Sequence, residues 1–220
     1  MNYTQLVAAV QNYAENSFDY SNDPSILDTF IKQAEQRIYN TIQFPSLRKN
    51  VTGYLSIGNK YLQCPTDFLS VYSMAVVQAN GEYLYLLNKD VNFIRQAYPS
   101  PTDTGTPKYY AIFGPRSDTE NELAFILGPM PNATLEVELH YFFYPESIVT
   151  ANTTWLGDNF DSVLLYGTLV EAATYMKQET DLVTLYNQKY QEALALAKRL
   201  GDGLERGDAY RNGQYRQAVT

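Results

Sequence analysis

Two segments at the start of the chain repeat apolar residues at helical spacing. The first runs from Tyr3 to Ala14 and predicts a short amphipathic helix. The second follows Asp23 and Pro24, which provide a capping side chain and a proline for the first helical turn. It predicts a longer helix that ends near Phe44. Its apolar face is formed by Ile26, Leu27, Phe30, Ile31, Ala34, Ile38 and Ile42.

From about residue 50 the pattern changes to short alternating runs separated by glycine, asparagine and proline, which is typical of an antiparallel sheet. Residues 57–60 predict one tight turn, and Asn80 and Gly81 predict another, because Asn-Gly adopts positive φ angles at low cost. We interpret both turns as hairpins. They join strands at 51–57 and 61–64, and at 71–77 and 83–87.

A short helix at residues 89–97 and an irregular, proline-rich loop at 99–107 precede three further predicted strands. These strands are expected at 108–113, 123–127 and 134–144. The last one alternates apolar and polar residues, so one of its faces should be buried and the other wet. The expected buried positions are Leu135, Val137, Leu139, Tyr141 and Phe143, and the wet positions include Glu136, Glu138 and His140.

Two more helices are predicted near the end of the chain. The first is marked by Val163, Tyr166, Val170, Ala173 and Thr174. The second has Asp181 and Gly201 as its start and stop signals. Its apolar face is predicted to contain Leu182, Leu185, Tyr186, Ala193, Leu196, Ala197 and Leu200.

Terminal helices on both sides of a central sheet predict an α+β chain in which the helices pack together. We expect a helical bundle built from residues 1–49 and 156–200, an inserted antiparallel β module at 50–155, and an extended C-terminal arm at 201–220. The arm is interrupted by glycines and loses the apolar period, so it should be mobile in an isolated monomer. Its arginines and tyrosines are suited to docking through stacking and bidentate hydrogen bonds. The candidate docking residues are Leu204, Arg206, Tyr210, Arg211, Tyr215 and Arg216.

Composition narrows the possible functions. With 220 residues, 45% hydrophobic and 18% charged, the chain is expected to fold into one sizeable domain or two small ones. Its 20 tyrosines favour assembly surfaces. A net charge of −8 argues against nucleic-acid binding, although an acidic wall suits a channel that must not hold DNA. We identify no signal peptide and no membrane span, which predicts a soluble protein made in a cytoplasm.

Candidate catalytic chemistry is sparse. The single histidine, His140, and the single cysteine, Cys64, cannot supply a zinc site, and no disulfide can form within the chain. We interpret His140 as a strand residue paired with its neighbours and Cys64 as a small buried apolar residue. Glu136 and Glu138 are interpreted as solubilising charges, and Trp155 as the anchor of a loop at 151–159. The sequence therefore predicts no catalytic residue, no metal and no cofactor.

Several segments, spread over nearly the whole chain, resemble head-to-tail adaptor proteins of tailed bacteriophages. Each segment is of modest specificity alone, and the resemblance is carried by their number and order. They are FIKQAEQRI at 30–38, FPSLRKNVTG at 44–53, PTDFL at 65–69, GTPKYY at 105–110, FILGP at 125–129, VELHY at 137–141 and DAYR at 208–211.

The resemblance implies a virion structural protein located at the interface of head and tail and assembled in the host cytoplasm. Roughly twelve copies would form a ring between the portal and the tail nozzle or tube. The ring would pass the genome without binding it specifically. The C-terminal arm would dock into the portal, and the β module would contact the nozzle or tail fibres.

Two other functions are also compatible with the sequence. Another tail structural subunit, such as a tail terminator or a baseplate component, would share the tyrosines and the lack of catalytic motifs. A tail-associated hydrolase using carboxylates of the β module would need a cleft with convergent acids.

Overall fold

The computed structural model describes residues 1–18, 26–42, 44–114 and 123–205. The chain divides into two compact units, one formed by Met1–Leu47 with Tyr144–Thr220 and the other by Arg48–Phe143. We call them the helical unit and the β unit. The helices of the described residues, in chain order, are α1 (Tyr3–Ala14), α2 (Ile26–Thr41), α3 (Val91–Ala97), α4 (Ile148–Ala151), α5 (Trp155–Asn159), α6 (Asp161–Tyr175) and α7 (Thr180–Glu205). A 3-10 turn lies at Pro45–Leu47.

Every strand among the described residues lies in the β unit, which confirms the α+β class and the change from helical to alternating pattern near residue 50. They are β1 (Arg48–Tyr54), β2 (Tyr61–Gln63), β3 (Ser70–Val77), β4 (Tyr83–Tyr85), β5 (Leu87–Asn88), β6 (Thr104–Gly105), β7 (Tyr109–Phe113), β8 (Ala124–Gly128), β9 (Met130–Pro131) and β10 (Glu136–Phe142).

Helix α1 begins with a capping box. The Asn2 side chain accepts a hydrogen bond from the Gln5 N–H at 2.9 Å, and the Gln5 side chain accepts one from the Asn2 N–H at 3.0 Å. Leu6, Val10 and Ala14 are buried along one side. The predicted short amphipathic helix is therefore confirmed.

Helix α6 packs against α1, α2 and α7 and forms the centre of the helical unit. Gly167 of α6 allows a close approach of these helices, because a Cβ there would lie 3.3 Å from the Tyr190 ring of α7 and 3.4 Å from Ala34 of α2. The predicted second helix is confirmed as α2, with Ile31 and Ile38 fully buried. Its predicted cap, Asp23 and Pro24, lies outside the described residues.

Helix α7 differs from its prediction in two ways. It continues past Gly201 to Glu205, so the proposed stop signal at Gly201 is wrong. Glycine in a helix interior costs roughly 1 kcal/mol relative to alanine, which a helix of 26 residues tolerates. The buried positions are Tyr186, Tyr190, Leu194 and Ala197, whereas Leu185 and Leu196, which were expected on the buried face, are exposed. No helix within the described residues has both the length and the apolar composition needed to cross a membrane.

The segment at 151–159 is more ordered than the predicted loop. It contains α5, capped by Thr154, whose hydroxyl accepts a hydrogen bond from the Gly157 N–H at 3.1 Å. Trp155 packs against the rings of Phe44 and Phe160 at centroid distances of 4.9 and 5.4 Å. This contact confirms the anchoring role predicted for Trp155.

The described part of the β unit forms two four-stranded sheets and one two-stranded sheet. Sheet A has the order β1-β10-β3-β4 and is antiparallel throughout. Sheet B has the order β2-β8-β7-β5, and only the β5–β7 pair is parallel. The small sheet pairs β6 with β9 in parallel.

One predicted hairpin is confirmed and the other is wrong. The turn at Asn80 and Gly81 joins β3 to β4, and Gly81 has a φ of +84°. The turn at residues 57–60 is present, with Gly58 at a φ of +74°, but β1 lies in sheet A and β2 in sheet B. A turn sequence determines only where the chain reverses direction. It does not determine which strand β2 pairs with, and β2 pairs with the fully buried strand β8.

The core of the β unit lies between sheets A and B. Sheet A contributes Met74, Val76, Val137, Leu139 and Tyr141, and sheet B contributes Tyr110, Phe125 and Leu127. The alternation predicted for β10 is confirmed, since Val137, Leu139 and Tyr141 are buried. A second apolar cluster places Ile94 of α3 against Ala111 and Ile126 of sheet B.

Candidate assembly surfaces

Most of the predicted docking arm lies outside the described residues. Leu204 lies in the last turn of α7. Arg206, Tyr210, Arg211, Tyr215 and Arg216 lie outside the described residues. Within the described residues, sheet A and α7 both have exposed apolar or aromatic side chains.

The face of sheet A that points away from the core is called the outer face. Alternate residues of each strand share it because side chains in a strand alternate between the two faces. In β10 these are Glu136, Glu138 and His140, which lie beside Tyr54, Thr52 and Asn50 of β1. On the other side β10 lies beside β3, and β3 beside β4, which adds Ser73, Ala75, Val77, Tyr83 and Tyr85 to the face.

Glu138 is the centre of a polar network on the outer face. Its Oε1 accepts a hydrogen bond from Asn50 Nδ2 at 2.6 Å and lies 3.2 Å from His140 Nε2. The hydrogen bond from Asn50 is the largest influence on the pKa of Glu138. Together with the nearby Tyr83 and His140 side chains it outweighs partial burial and holds that pKa below its ordinary value. The network also confirms that His140 pairs with a neighbouring residue.

Aromatic side chains dominate both ends of the outer face. At one end the Arg48 guanidinium lies 4.2 Å from the centroid of the Tyr72 ring and 5.6 Å from that of Phe142. At the other end Tyr83 and Tyr85 are 55% and 64% exposed. Their spacing of two residues within one strand places both rings on the same side, a signal that is readable from the sequence but was not used to identify a site.

A second exposed surface runs along α7 and is called the α7 stripe. Leu185 and Leu196 are separated by 11 residues, which is close to three helical turns, so they lie on nearly one line. They are 47% and 66% exposed. Between them Lys189 and Glu192 form an ion pair at 3.0 Å. The stripe combines exposed leucines with a local ion pair, a composition found at protein contact surfaces.

Neither Glu138 of the outer face nor the buried Glu35 suits the role of a general acid. A general acid requires a raised pKa, whereas the pKa of Glu138 is lowered. The pKa of Glu35 is raised by burial, but this side chain is 3% exposed and accepts a hydrogen bond from the Ile148 N–H at 2.9 Å. Glu35 therefore caps α4 and is closed to a substrate.

Two further sequence interpretations concern nucleophiles and metals. Cys64 is buried, as predicted, and burial raises the pKa of its thiol to about 12, so the nucleophilic thiolate is disfavoured. Among the described residues no three His, Cys, Asp or Glu side chains are grouped closely enough to hold a metal ion.

Comparison with known proteins identifies the chain. The model of the SU10 adaptor protein family matches residues 1–217. A search of the curated proteins gives no match. The family match spans all seven sequence segments on which the resemblance to head-to-tail adaptors was based, and it confirms that resemblance. The chain belongs to the SU10 adaptor protein family, a family of bacteriophage head-to-tail adaptors.

Proposed function

We propose that this protein forms a ring that joins the portal to the nozzle or tube of the tail. The observation that carries the proposal is the family match over residues 1–217, which includes both units and most of the C-terminal segment. As a member of an adaptor family, the protein is a structural component of a bacteriophage virion. The adaptor family implies association with portal and tail proteins.

In this proposal the helical unit forms the body of the ring, and the α7 stripe contacts a second copy of the chain. Two exposed leucines on one line of a helix favour contact with another protein, and a closed ring repeats that contact between every pair of neighbours. A ring of roughly twelve copies would multiply a modest contact into a stable assembly.

The C-terminal segment is proposed to dock into the portal. Its start is set by α7, which carries the chain to Glu205. The residues that follow include Arg206, Tyr210, Arg211 and Tyr215, whose planar side chains form several hydrogen bonds or bury large areas with little loss of entropy. An extended segment that orders on docking loses conformational entropy, so such anchors are needed.

The remaining contacts of the proposal concern the genome and the tail. A net charge of −8 would keep DNA from adhering to the channel wall during its passage.

The β unit is proposed to contact the tail nozzle, tube or fibres through the outer face of sheet A. The exposed tyrosines of that face support a contact surface, since tyrosine is enriched where interfaces are partly wet.

Nested truncations test portal docking. One variant ends after Glu205, which keeps all of α7, and a second ends after Gly203, which also removes Leu204 and Glu205. Both should remain folded and lose binding to purified portal rings. The single variants Tyr210→Ala and Arg211→Ala should each weaken binding by about 1–3 kcal/mol. Arg199→Ala, on the exposed side of α7, is the matched control and should bind normally.

Surface plasmon resonance on immobilised portal rings measures these affinities. Unchanged affinity of the variant that ends after Glu205 would show that portal docking does not use the C-terminal segment. Imaging of intact particles would then decide between an adaptor and another tail subunit, because it shows both the copy number and the neighbour of each chain.

A variant of the α7 stripe tests ring formation separately. Leu196→Arg places a charge on the stripe, and we expect it to remain a folded monomer that no longer forms rings on portal. Ala195→Arg adds the same charge at an exposed position about 100° away on the same helix, and it should assemble normally. Mass photometry and negative-stain imaging report the assembly state, and equal assembly of the two variants would remove the stripe from the ring contact.

A further inference from the structure

The outer face of sheet A contains a cavity of about 240 Å³ within the β unit. Its lining consists of Ser73, Ala75, Tyr83, Tyr85, Glu138 and His140. The register explains why it forms. Ala75 lies directly between Tyr85 on one side and Glu138 on the other, and Ser73 lies beside His140. Two small side chains on β3 thus leave a gap between the taller side chains of β4 and β10.

The cavity contains the carboxylate of Glu138, which supplies its negative charge. The Asn50 side chain, which donates to that carboxylate, is neutral. His140 contributes charge only when it is protonated. The lowered pKa of Glu138 keeps its carboxylate ionised at neutral pH. Glu136 adds a second acidic side chain one row away on the same face. The charge of this site therefore favours a cation and disfavours phosphate, nucleic acid or an acidic peptide.

The two tyrosines add a second feature that favours a cation. The faces of aromatic rings attract cations, and the attraction grows when water is partly excluded. Tyr83 and Tyr85 are both mostly exposed, and both line the cavity. Both rings share the outer face with Glu138, since Tyr85 lies in the same row as Glu138 and Tyr83 lies in the next row.

The size of the cavity restricts the occupant. Pockets for drug-sized ligands usually measure roughly 300–1,000 Å³, so a cavity of about 240 Å³ suits a single side chain. We propose that this cavity binds an arginine side chain presented by a partner protein of the virion. A guanidinium is planar, stacks on aromatic rings and donates up to five hydrogen bonds, so it can contact a tyrosine ring and Glu138 together. The inference rests on the proposed adaptor function, in which the outer face contacts the tail side.

The test is an NMR titration of the purified full-length protein with N-acetyl-arginine amide. We expect shift changes at β3, β4 and β10 with a dissociation constant on the order of 1 mM, because the probe is small. N-acetyl-citrulline amide has nearly the same shape without the charge and should bind at least about tenfold more weakly. N-acetyl-lysine amide should bind about threefold to tenfold more weakly than the arginine probe.

Two variants connect the binding to the cavity. Glu138→Gln should reduce the affinity for the arginine probe by about tenfold, while the matched Glu136→Gln, outside the lining, should change it less than about threefold. Tyr85→Leu keeps an apolar side chain at an exposed position and should reduce affinity by about threefold to fivefold. The amide spectrum of each variant shows whether its fold is retained.

Several outcomes would overturn the inference. Equal binding of the citrulline and arginine probes would mean that charge is not recognised. Equal binding of the lysine probe would show a general cation site in place of an arginine site. Unchanged affinity in folded Glu138→Gln or Tyr85→Leu would place the binding elsewhere. The titration requires neither portal nor ring. If the arginine probe does not bind, the proposed adaptor function is unaffected. If the protein does not dock into portal, the result of the titration can still be interpreted.

Discussion

Tyr141 is a buried residue of β10 that stabilises the β unit through its hydroxyl. It is 1% exposed, and its hydroxyl donates to Asp67 Oδ1 at 2.7 Å. Asp67 also accepts a hydrogen bond from Lys49 Nζ at 2.8 Å on its other oxygen. Tyr141→Phe removes only the hydroxyl, so the ring continues to fill the core between the two sheets. The variant therefore isolates one hydrogen bond to a charged acceptor.

The expected cost follows from this geometry. A hydrogen bond to a charged group contributes roughly 1.5–3 kcal/mol. The Asp67 side chain is 33% exposed and keeps Lys49, so water replaces part of the lost bond. We expect Tyr141→Phe to lower the free energy of unfolding of the β unit by about 1.5 kcal/mol at neutral pH. Tyr54→Phe, at a position that is 70% exposed, is the control and should change it by less than about 0.5 kcal/mol.

The pH dependence provides an independent check. Burial raises the pKa of Asp67, but the bonds from Lys49 and Tyr141 outweigh it and bring that pKa below its ordinary value. Stability from such a carboxylate is present above its unfolded pKa, about 3.9, and is lost as the pH falls through the folded pKa. The difference between wild type and Tyr141→Phe should therefore be largest at neutral pH and shrink below about pH 4.

Native-state hydrogen exchange at the amides of β10 measures the free energy of opening at the strand that contains Tyr141. Urea unfolding followed by circular dichroism gives the value for the whole chain. The reasoning is refuted if Tyr141→Phe is as stable as Tyr54→Phe at neutral pH. A loss of stability that is the same at acidic and neutral pH would show that packing, and not the bond to Asp67, accounts for the cost.

Two further predictions concern one residue of the helical unit, Glu35, and one residue of the β unit, Gly128. Glu35→Ala leaves the Ile148 N–H without its acceptor and should cost about 2–4 kcal/mol in urea unfolding. Burial raises the pKa of Glu35, so wild type should lose stability relative to Glu35→Gln as the pH rises from about 4.5 through the raised pKa, and a pH-independent difference would contradict this. Gly128→Ala places a Cβ 2.9 Å from both Ile94 Cγ2 and Tyr98 Cδ2, and should cost about 1–3 kcal/mol. Gly114→Ala meets no atom within 4 Å and should be neutral in thermal unfolding.

Local patterns in the sequence predict most elements of the fold. The spacing of Leu6, Val10 and Ala14 predicts α1, and the alternation along β10 predicts its buried and exposed faces. Both features depend on the period of a single element, which a sequence displays directly. The turn at Asn80 and Gly81 is equally local, because the required φ angle belongs to one glycine.

Features that depend on distant parts of the chain are not predicted. The turn at residues 57–60 is present, but the choice of β8 as the partner of β2 depends on strands more than 60 residues apart. Leu185 and Leu196 look like core residues in the sequence because apolar character alone does not distinguish a core from an assembly surface. The cavity of the outer face is likewise invisible, since it results from the register that places Ala75 between Tyr85 and Glu138.

The pairing of Arg48 with Phe142 means that the β unit could be exchanged as a whole. These two residues begin β1 and end β10, and they are partners in one antiparallel ladder, so their Cα atoms are about 5 Å apart. The first and last residues of the β unit are therefore neighbours. A short linker could replace the whole β unit, and another domain whose termini lie close together could be inserted in its place. If the β unit contacts the tail as proposed, exchange of this one unit would change the preferred partner.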